Sequence, residues 1–328
     1  MNIFWALILL VAGLAILLKG ADWLVDGAVA LAERFGVSPL VIGLTIVAMG
    51  TSAPEVATSI AATARRLGNT AIGNVYGSNI ANLALVGGLC ALIRPINIQL
   101  RSILWEMPAM IGVVLLLWPV LANLHLGRGE GFFLLLLFIS LLLLTVCMGL
   151  RDAKARPGEV DKIREHIHDK TPLAPKPLLS CTFFVVFGLA CLALGADLAI
   201  RGGVYIGERI GLSKTVIGLT IIAVGTSLPE LMTCIVAAFK GHDDISIGTL
   251  VGSNIFNALL AVGCAGLIRP FEVAERLIGV DYWFMVAVST AFVLMAVTGK
   301  IINRLEGLIL TCAYTAYLGY LLIFTRSI

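Results

Sequence analysis

The chain has 328 residues, of which 59% are hydrophobic and only 13% are charged, and its mean hydropathy is +1.00. Soluble domains contain about 45–50% apolar and about 25% charged residues, so this composition excludes a water-soluble globular protein and predicts one that is embedded in a lipid bilayer. The net charge is +3, and the basic residues are scattered between apolar runs. Because nucleic-acid binding needs a clustered basic surface, nucleic acid is not an expected partner.

Apolar runs along the chain predict ten membrane-spanning helices, since a spanning helix needs about 20 apolar residues. Five runs precede and five follow a polar stretch, so the expected fold class is an all-α membrane protein. The runs fall near 3–18, 36–63, 71–93, 103–122, 131–149, 178–196, 211–239, 246–268, 281–298 and 305–324.

The polar stretch at 150–177 contains seven lysine and arginine residues and separates two halves, 1–149 and 178–328. Positively charged connections stay on the cytoplasmic side of a membrane. We therefore expect a cytoplasmic loop, with both termini extracytoplasmic, in a protein of the cell membrane. A solvated connector is the simplest interpretation of the loop. The sequence leaves the oligomeric state open, and a monomer is compatible with it.

The two halves are copies of one sequence. An offset of 175 residues aligns GLTIVAMGTSAPE at 43–55 with GLTIIAVGTSLPE at 218–230, and GNVYGSNIAN at 73–82 with GTLVGSNIFN at 248–257. The similarity is densest in two motif segments, 43–88 and 218–263. Each copy contains five predicted spans, an odd number, so the second copy enters the membrane from the opposite side. Such inverted repeats, with a site between them near the midplane, are typical of secondary transporters.

Each copy carries a proline in the middle of a long apolar run, Pro54 in the first and Pro229 in the second. A proline inside a helix removes an amide donor and frees the carbonyl four residues earlier. Each GTSxPE motif is therefore predicted to kink or break its helix and to present carbonyls, two hydroxyls and a carboxylate. Thr51 and Glu55 are four residues apart, which places them on one helix face, and the second copy has the same spacing.

Glu55 and Glu230 are the only carboxylates deep within the predicted spans. A charge at the bilayer centre costs about 3 kcal/mol or more, so an ionisable residue there indicates function. The alternative is a protonated glutamate that braces a proline kink, but it does not explain two such residues in duplicated, oxygen-rich motifs. If both carboxylates face one pocket, their repulsion makes protons compete with any bound cation.

The GSNIxN motifs add a second pair of polar faces, because Ser78 and Asn82 are four residues apart, as are Ser253 and Asn257. Oxygen ligands of this kind suit Ca²⁺ and Na⁺, whereas soft metals need Cys or His. Hydrogen bonding between helices is an equally valid interpretation of the two asparagines at the end of the motif.

Other polar residues are weaker candidates. Asn79 and Asn254 lie on other faces of their helices, where a packing or capping role is expected. Arg94 and Arg269 precede prolines at helix exits and are interpreted as topology anchors. Four acidic residues fall near predicted span ends, where we expect a solvated or snorkelling role: Asp22, Asp197, Glu106 and Asp281.

The paired GTSxPE and GSNIxN motifs resemble the two alpha repeats of the cation/calcium exchanger superfamily, and the chain is most similar to its prokaryotic calcium/sodium antiporters. The resemblance covers both halves. It implies a ten-helix inverted repeat with four adjacent cation sites lined by the second, third, seventh and eighth helices, and long first and sixth helices that slide across this core. The ligands that it implies are Glu55, Glu230, Thr51, Ser52, Thr226, Ser227, Ser78, Asn82, Ser253 and Asn257, with the carbonyls of Ala48 and Ala223.

One position departs from the superfamily pattern. Some similar exchangers carry an aspartate at the position that matches Asn257, whereas both copies carry asparagine here. The site then contains two carboxylates rather than three. A lower negative charge affects the expected ion stoichiometry, the affinity for Ca²⁺ and any coupling to protons.

The function expected from the sequence is antiport of Na⁺ and Ca²⁺ by alternating access, with both ions as transported substrates, no cofactor and no enzymatic reaction. Coupling to H⁺ or K⁺, with Ca²⁺ or another divalent cation, is the alternative in the same class. A cation channel would use the same ligands. An intramembrane hydrolase needs a catalytic aspartate pair or a serine with a base, and the sequence offers neither.

Overall fold

The computed structural model describes residues 2–155, 177–212, 217 and 221–324 of an all-helical protein. The first half contains α1 (Ile3–Phe35), α2 (Pro39–Thr51), α3 (Ala53–Ala64), α4 (Gly68–Ile93), α5 (Ser102–Leu121) and α6 (Arg128–Ala155). The second half contains α7 (Leu178–Arg209), α8 (Ala223–Thr226), α9 (Leu228–Phe239), α10 (Asp243–Ile268), α11 (Leu277–Gly299) and α12 (Arg304–Phe324).

Eight of the described helices are long and apolar enough to cross a membrane, and α2 with α3 forms a ninth, bent span. The protein is therefore a multi-pass membrane protein. A tenth span would run through α8 and α9, but residues 213–216 and 218–220 at its start lie outside the described part. Most of the predicted loop at 150–177 lies outside it as well, and α6 continues to Ala155, beyond the predicted end at 149.

The predicted ends of the first and sixth spans, at residues 18 and 196, are wrong. Helix α1 has 33 residues and α7 has 32. At about 1.5 Å per residue each is about 50 Å long, which exceeds the bilayer's hydrocarbon thickness of about 30 Å. The hydropathy pattern ends early because α1 continues through charged residues, of which Asp22 and Asp26 form ion pairs.

Helices α1 and α7 pack closely along their length and run antiparallel. A Cβ atom added at Gly13 would lie 2.6 Å from the amide nitrogen of Ala199, and one added at Gly27 would lie 2.9 Å from that of Val185. Later residues of α1 thus meet earlier residues of α7. Small residues allow this close approach of two backbones, which is the usual way in which membrane helices gain packing energy.

Both GTSxPE motifs break their helices, as predicted. Helix α2 ends at Thr51 and α3 begins at Ala53, with a bend of 43° between them, and Ser227 separates α8 from α9 in the same manner. Pro54 and Pro229 occupy the first turn of the helix that follows the break. A proline is tolerated there, because the amide that it lacks has no intrahelical partner in a first turn.

Two short β ribbons tie the halves together. Strand β1 (Ile96–Asn97) pairs antiparallel with β4 (Ile301–Ile302), and β2 (His125–Leu126) pairs antiparallel with β3 (Phe271–Glu272). The 175-residue offset relates β1 to β3, so the two ribbons are counterparts. In the interior, α4 and α10 are mostly buried, whereas α1, α6, α7 and α12 present many apolar side chains outward.

Candidate cation site

The two glutamates of the GTSxPE motifs occupy equivalent positions. Glu55 lies in the first turn of α3 and Glu230 in the first turn of α9, each directly after a helix break. Both are fully buried, and their carboxylates are close enough to interact electrostatically. The unpaired amides of a helix N-terminus favour a negative charge, which helps to hold a carboxylate at each break.

The carboxylate of Glu230 is contacted by hydroxyls from the other half of the chain. The Ser52 hydroxyl donates a hydrogen bond to Oε1 of Glu230 at 3.2 Å, and the Thr51 side chain also lies against this carboxylate. The sequence predicts that Thr51 shares a helix face with Glu55, its neighbour in the motif. The break at Ser52 interrupts that face, so these hydroxyls meet the glutamate of the other copy instead.

The asparagines of the GSNIxN motifs lie on segments that pack against the glutamate helices. The segment Ala81–Val86, which contains Asn82, packs against α9, and the segment Asn257–Ala261 packs against α3. Each copy therefore supplies an asparagine segment to the other copy's glutamate helix. The amide atoms of Asn82 and Asn257 are buried, with no hydrogen-bond partner among the described residues. Neither side chain makes a hydrogen bond between helices with a described residue.

The serines of the motifs and Thr51 are also buried, and Thr226 is partly buried, but their contacts differ. The hydroxyls of Ser227 and Ser253 have no hydrogen-bond partner in the part of the chain that the structure describes. Ser78 is buried on α4 and Thr226 ends α8. Ser227 is the counterpart of Ser52, but it makes no equivalent hydrogen bond to Glu55, whose two carboxylate oxygens lack partners among the described residues.

The two backbone carbonyls that the resemblance implies as ligands belong to differently bonded turns. The Ala48 carbonyl accepts hydrogen bonds from the Ser52 amide at 3.0 Å and from the Thr51 hydroxyl at 3.4 Å. In the second copy the Ser227 amide donates to the Val224 carbonyl at 3.2 Å, one residue later than Ala223. The two motifs are thus alike in sequence but not identical in backbone hydrogen bonding.

Asn82 and Asn257 both lie in π-helical segments, Ala81–Val86 and Asn257–Ala261. The residue spacing in the sequence did not predict these segments. A π-helical turn adds one residue to the ring closed by each hydrogen bond and is frequent at functional sites. It also shifts the face on which a side chain lies. The four-residue spacing between Ser78 and Asn82 therefore does not by itself place the two side chains on one helix face.

Asn74 is a further polar residue that the sequence analysis did not identify. Its Nδ2 donates to the Glu55 carbonyl and to the Ser59 hydroxyl, both at 3.1 Å, and so ties α4 to the helix that carries Glu55. Its counterpart in the second copy is Thr249, whose buried hydroxyl has no partner among the described residues. The duplicated motif has glycine before this position in both copies, but asparagine in only one.

Asn79 and Asn254 have the packing role that was expected. Asn79 Nδ2 donates to the backbone carbonyl of Asn254 at 3.3 Å, and Asn254 Nδ2 donates to the Leu250 carbonyl at 2.7 Å. These asparagines are repeat counterparts, since 175 residues separate them. Two counterparts that touch must lie beside the axis that relates the two copies.

The prediction of solvated acids at span ends is wrong for two of the four. Glu106 and Asp281 are only 8% and 4% exposed, and each pairs with an arginine at 3.3 Å, Arg101 and Arg276 respectively. A partner of opposite charge permits this burial. Arg94, interpreted as an anchor, donates to the carbonyl of Ala238 near the end of α9.

The set of donors around the two glutamates consists of carboxylate, hydroxyl and amide oxygens. Buried polar atoms without partners are costly in a protein interior. Six of the predicted ligands carry such atoms, with no partner among the described residues: Glu55, Glu230, Asn82, Asn257, Ser227 and Ser253. Hard cations such as Ca²⁺ and Na⁺ bind to oxygen ligands of this kind. The residues present therefore fit a hard cation as substrate.

Comparison with known proteins identifies the family of the chain. Residues 5–147 and 180–323 match the family described as sodium/calcium exchanger protein. The chain is 41% identical to CaxA of Alkalimonas amylolytica, over 95% of this chain and 97% of that protein. It is 32% identical to the sodium/calcium exchanger MaX1 of Methanosarcina acetivorans, with the same coverage.

Among solved structures, the sodium/calcium exchanger from Methanococcus jannaschii superimposes with a TM-score of 0.80 at 29% identity, covering 97% of this chain and 99% of that one. The similarity thus extends over both halves in sequence and in fold. The chain belongs to the sodium/calcium exchanger protein family.

Proposed function

We propose that this protein is a secondary antiporter that exchanges Na⁺ for Ca²⁺ by alternating access through one shared site. The observation that carries the proposal is that Glu55 and Glu230 are both fully buried and that Ser52 of one copy donates a hydrogen bond to Glu230 of the other. The family match and the names of the similar exchangers support the same class of transport.

The proposed ligands are the oxygens of the four motifs. Glu55 and Glu230 would supply the negative charge, and the neutral oxygens would come from Thr51, Ser52, Thr226, Ser227, Ser78, Asn82, Ser253 and Asn257, with the carbonyls of Ala48 and Ala223. Two carboxylates balance one Ca²⁺ or two Na⁺. Both sets together would leave excess positive charge in a cavity of low dielectric constant, so binding of one ion would exclude the other.

Alternating access requires two related halves, and we propose a ten-helix inverted repeat, with boundaries 1–149 and 178–328, as its basis. The reciprocal packing of each asparagine segment on the other copy's glutamate helix supports a two-fold relation. So do the antiparallel pair α1 and α7 and the two counterpart ribbons. We further propose that the loop at 150–177 is cytoplasmic and that both termini lie outside the cell membrane.

The test is Ca²⁺ uptake into proteoliposomes that contain the purified protein and are loaded with Na⁺. Diluting them into Na⁺-free buffer should drive uptake of radioactive Ca²⁺. Glu55→Gln and Glu230→Gln should each abolish this uptake, because each removes half of the negative charge at the site. Glu106→Gln is the matched control, since Glu106 is also a buried carboxylate in a membrane helix but lies outside the motifs. It should retain transport in protein that remains folded.

The coupling ion is determined by replacing the internal Na⁺ in turn with K⁺, with choline, and with a proton gradient. Uptake that depends on Na⁺ supports the proposal, whereas uptake driven equally by K⁺ or H⁺ would assign the protein to the alternative coupling. Ca²⁺ flux that only follows its own gradient would indicate a channel. Unchanged uptake in either glutamine variant would overturn the site.

A further inference from the structure

A group of three charged residues connects α1 to the end of α9, outside the cation site. Lys240 directly follows α9, and its Nζ lies 2.6 Å from Oδ1 of Asp22 and 2.7 Å from Oδ1 of Asp26. The same Nζ also donates to the backbone carbonyl of Asp22 at 3.2 Å. One ammonium group thus contacts both aspartates of α1, in side chains that are each only about one third exposed or less.

The counterparts of these residues in the other copy do not form the same group. The 175-residue offset relates Lys240 to Arg65, Asp22 to Asp197, and Asp26 to Arg201. Asp197 pairs instead with Arg201, four residues later on its own helix, at 2.8 Å. Arg65 makes no ion pair with any residue that the structure describes. Among the described residues, an ion-pair connection between a long helix and the core thus exists in one copy and not in the other.

This asymmetry has a meaning in a protein built from two inverted copies. If the copies exchange their conformations, the result is the same arrangement opened to the opposite side of the membrane. Arg65 and Asp197 carry the charges for the equivalent contact and do not make it here, whereas Lys240 and Asp22 do, as expected for two copies in different conformations. The close packing of α1 on α7 through glycines makes these two helices a unit that would move together against the remaining helices, which is how one bundle moves against another in such transporters.

We propose that Lys240, Asp22 and Asp26 form a latch that stabilises the access state seen in this structure and that opens in the other state. This inference rests on the proposed function, because it requires two access states. In the proposed ten-helix topology, Lys240 lies on the same side of the membrane as the 150–177 loop. The latch therefore holds α1 against the core on that side. The other copy can form only a weaker latch, between Arg65 and Asp197, because Arg201 replaces the second acid.

Because the Lys240 latch is stronger than the one between Arg65 and Asp197, we expect the observed access state to be more populated than the other. Removing the latch should redistribute the protein between states by the free energy that the ion pairs contribute. For partly exposed pairs that share one lysine we expect a change in the population ratio of about three- to tenfold. Lys240→Gln would remove the attraction, whereas Lys240→Glu would replace it with repulsion and have the larger effect.

The experiment compares wild type, Lys240→Gln, Lys240→Glu and the double variant Lys240→Glu with Asp26→Lys. Arg201→Gln is the matched control, since it breaks an ion pair within α7 that connects no two elements. Hydrogen–deuterium exchange of the purified proteins in detergent is followed by mass spectrometry. We expect faster exchange in 20–35 and 236–246 for the lysine variants, with partial recovery in the double variant and no such change in the control.

Transport supplies the second readout. In proteoliposomes of known orientation, Lys240→Gln should change the apparent Ca²⁺ affinities measured from the two membrane faces in opposite directions, by about three- to tenfold. The latch would be overturned if Lys240→Gln gave the same hydrogen–deuterium exchange and Ca²⁺ affinities as Arg201→Gln. An equal loss of Ca²⁺ affinity at both membrane faces would also overturn it. If wild-type protein showed no Na⁺-driven uptake, the proposed function would fail. The hydrogen–deuterium exchange of the variants would then still show whether Lys240, Asp22 and Asp26 hold α1 to the core.

Discussion

Ser52 and Glu230 lie 178 residues apart in the chain, yet the Ser52 hydroxyl donates a hydrogen bond to Oε1 of Glu230 at 3.2 Å. The contact joins the break after α2 to the first turn of α9. It therefore connects the two copies at the point where each one exposes polar groups inside the membrane. Its counterpart, from Ser227 to Glu55, is not formed, since the Ser227 hydroxyl has no partner among the described residues.

Ser52→Ala and Ser227→Ala should differ in their effect on stability. Ser52→Ala removes a hydrogen bond to a buried carboxyl group and should lower the free energy of unfolding by about 1.5–3 kcal/mol. Ser227→Ala removes a hydroxyl that makes no such bond and should change stability much less. Thermal unfolding in Ca²⁺-free buffer measures the difference. Equal destabilisation by the two variants would contradict the asymmetry.

Glu55→Gln should make the cation-free protein more stable while removing its response to Ca²⁺. Two buried carboxylates repel each other when no cation lies between them, so neutralising one relieves the repulsion. Wild-type protein should gain about 2.7 kcal/mol of stability at a Ca²⁺ concentration 100 times the dissociation constant. The check is Tm as a function of Ca²⁺ concentration, with Glu106→Gln as a variant that keeps the response. If Ca²⁺ still stabilised the Glu55→Gln protein, Glu55 would be excluded as a ligand.

Asn74→Ala should destabilise the protein and reduce transport, whereas Thr249→Ala should do neither. Asn74 holds the Glu55 carbonyl and the Ser59 hydroxyl at 3.1 Å each, so its loss leaves buried groups unpaired at a cost of about 1–3 kcal/mol. The buried Thr249 hydroxyl has no partner to lose among the described residues. Thermal unfolding and Na⁺-driven Ca²⁺ uptake of both variants would decide this. A Thr249 variant as impaired as the Asn74 variant would show that the two copies are supported alike.

Gly13→Ala should loosen the packing of α1 on α7. The new Cβ would lie 2.6 Å from the Ala199 amide nitrogen and 2.7 Å from the Gly195 carbonyl oxygen, so the backbones must separate. Overpacking of this kind costs about 1–3 kcal/mol. Gly112→Ala on α5 is the control, because a Cβ there meets no atom within 4 Å in the described structure. Thermal unfolding should show a loss only for the first variant, and similar Tm values would mean that the helices can separate freely.

Residue type and spacing along the chain were enough to predict the membrane fold, the duplication and the two helix breaks. The proline positions predicted the breaks because the missing amide acts locally. Burial of Glu55 and Glu230 was predictable from their place within apolar runs. The ends of α1 and α7 were not, since charged residues such as Asp22 interrupt the hydropathy pattern although ion pairs neutralise them.

What the sequence by itself determined is therefore the set of candidate ligands and their duplication, because these depend on composition and local order. Only the tertiary structure decided which groups meet. It assigned Ser52 to the glutamate of the other copy, paired the buried Glu106 with Arg101, and joined Lys240 to Asp22. The physical reason is that charge pairing and hydrogen bonding act over a few ångströms in space, between segments whose approach is set by the packing of whole helices. The same packing makes two nearly identical motifs form different contacts, which no alignment of one copy with the other can reveal.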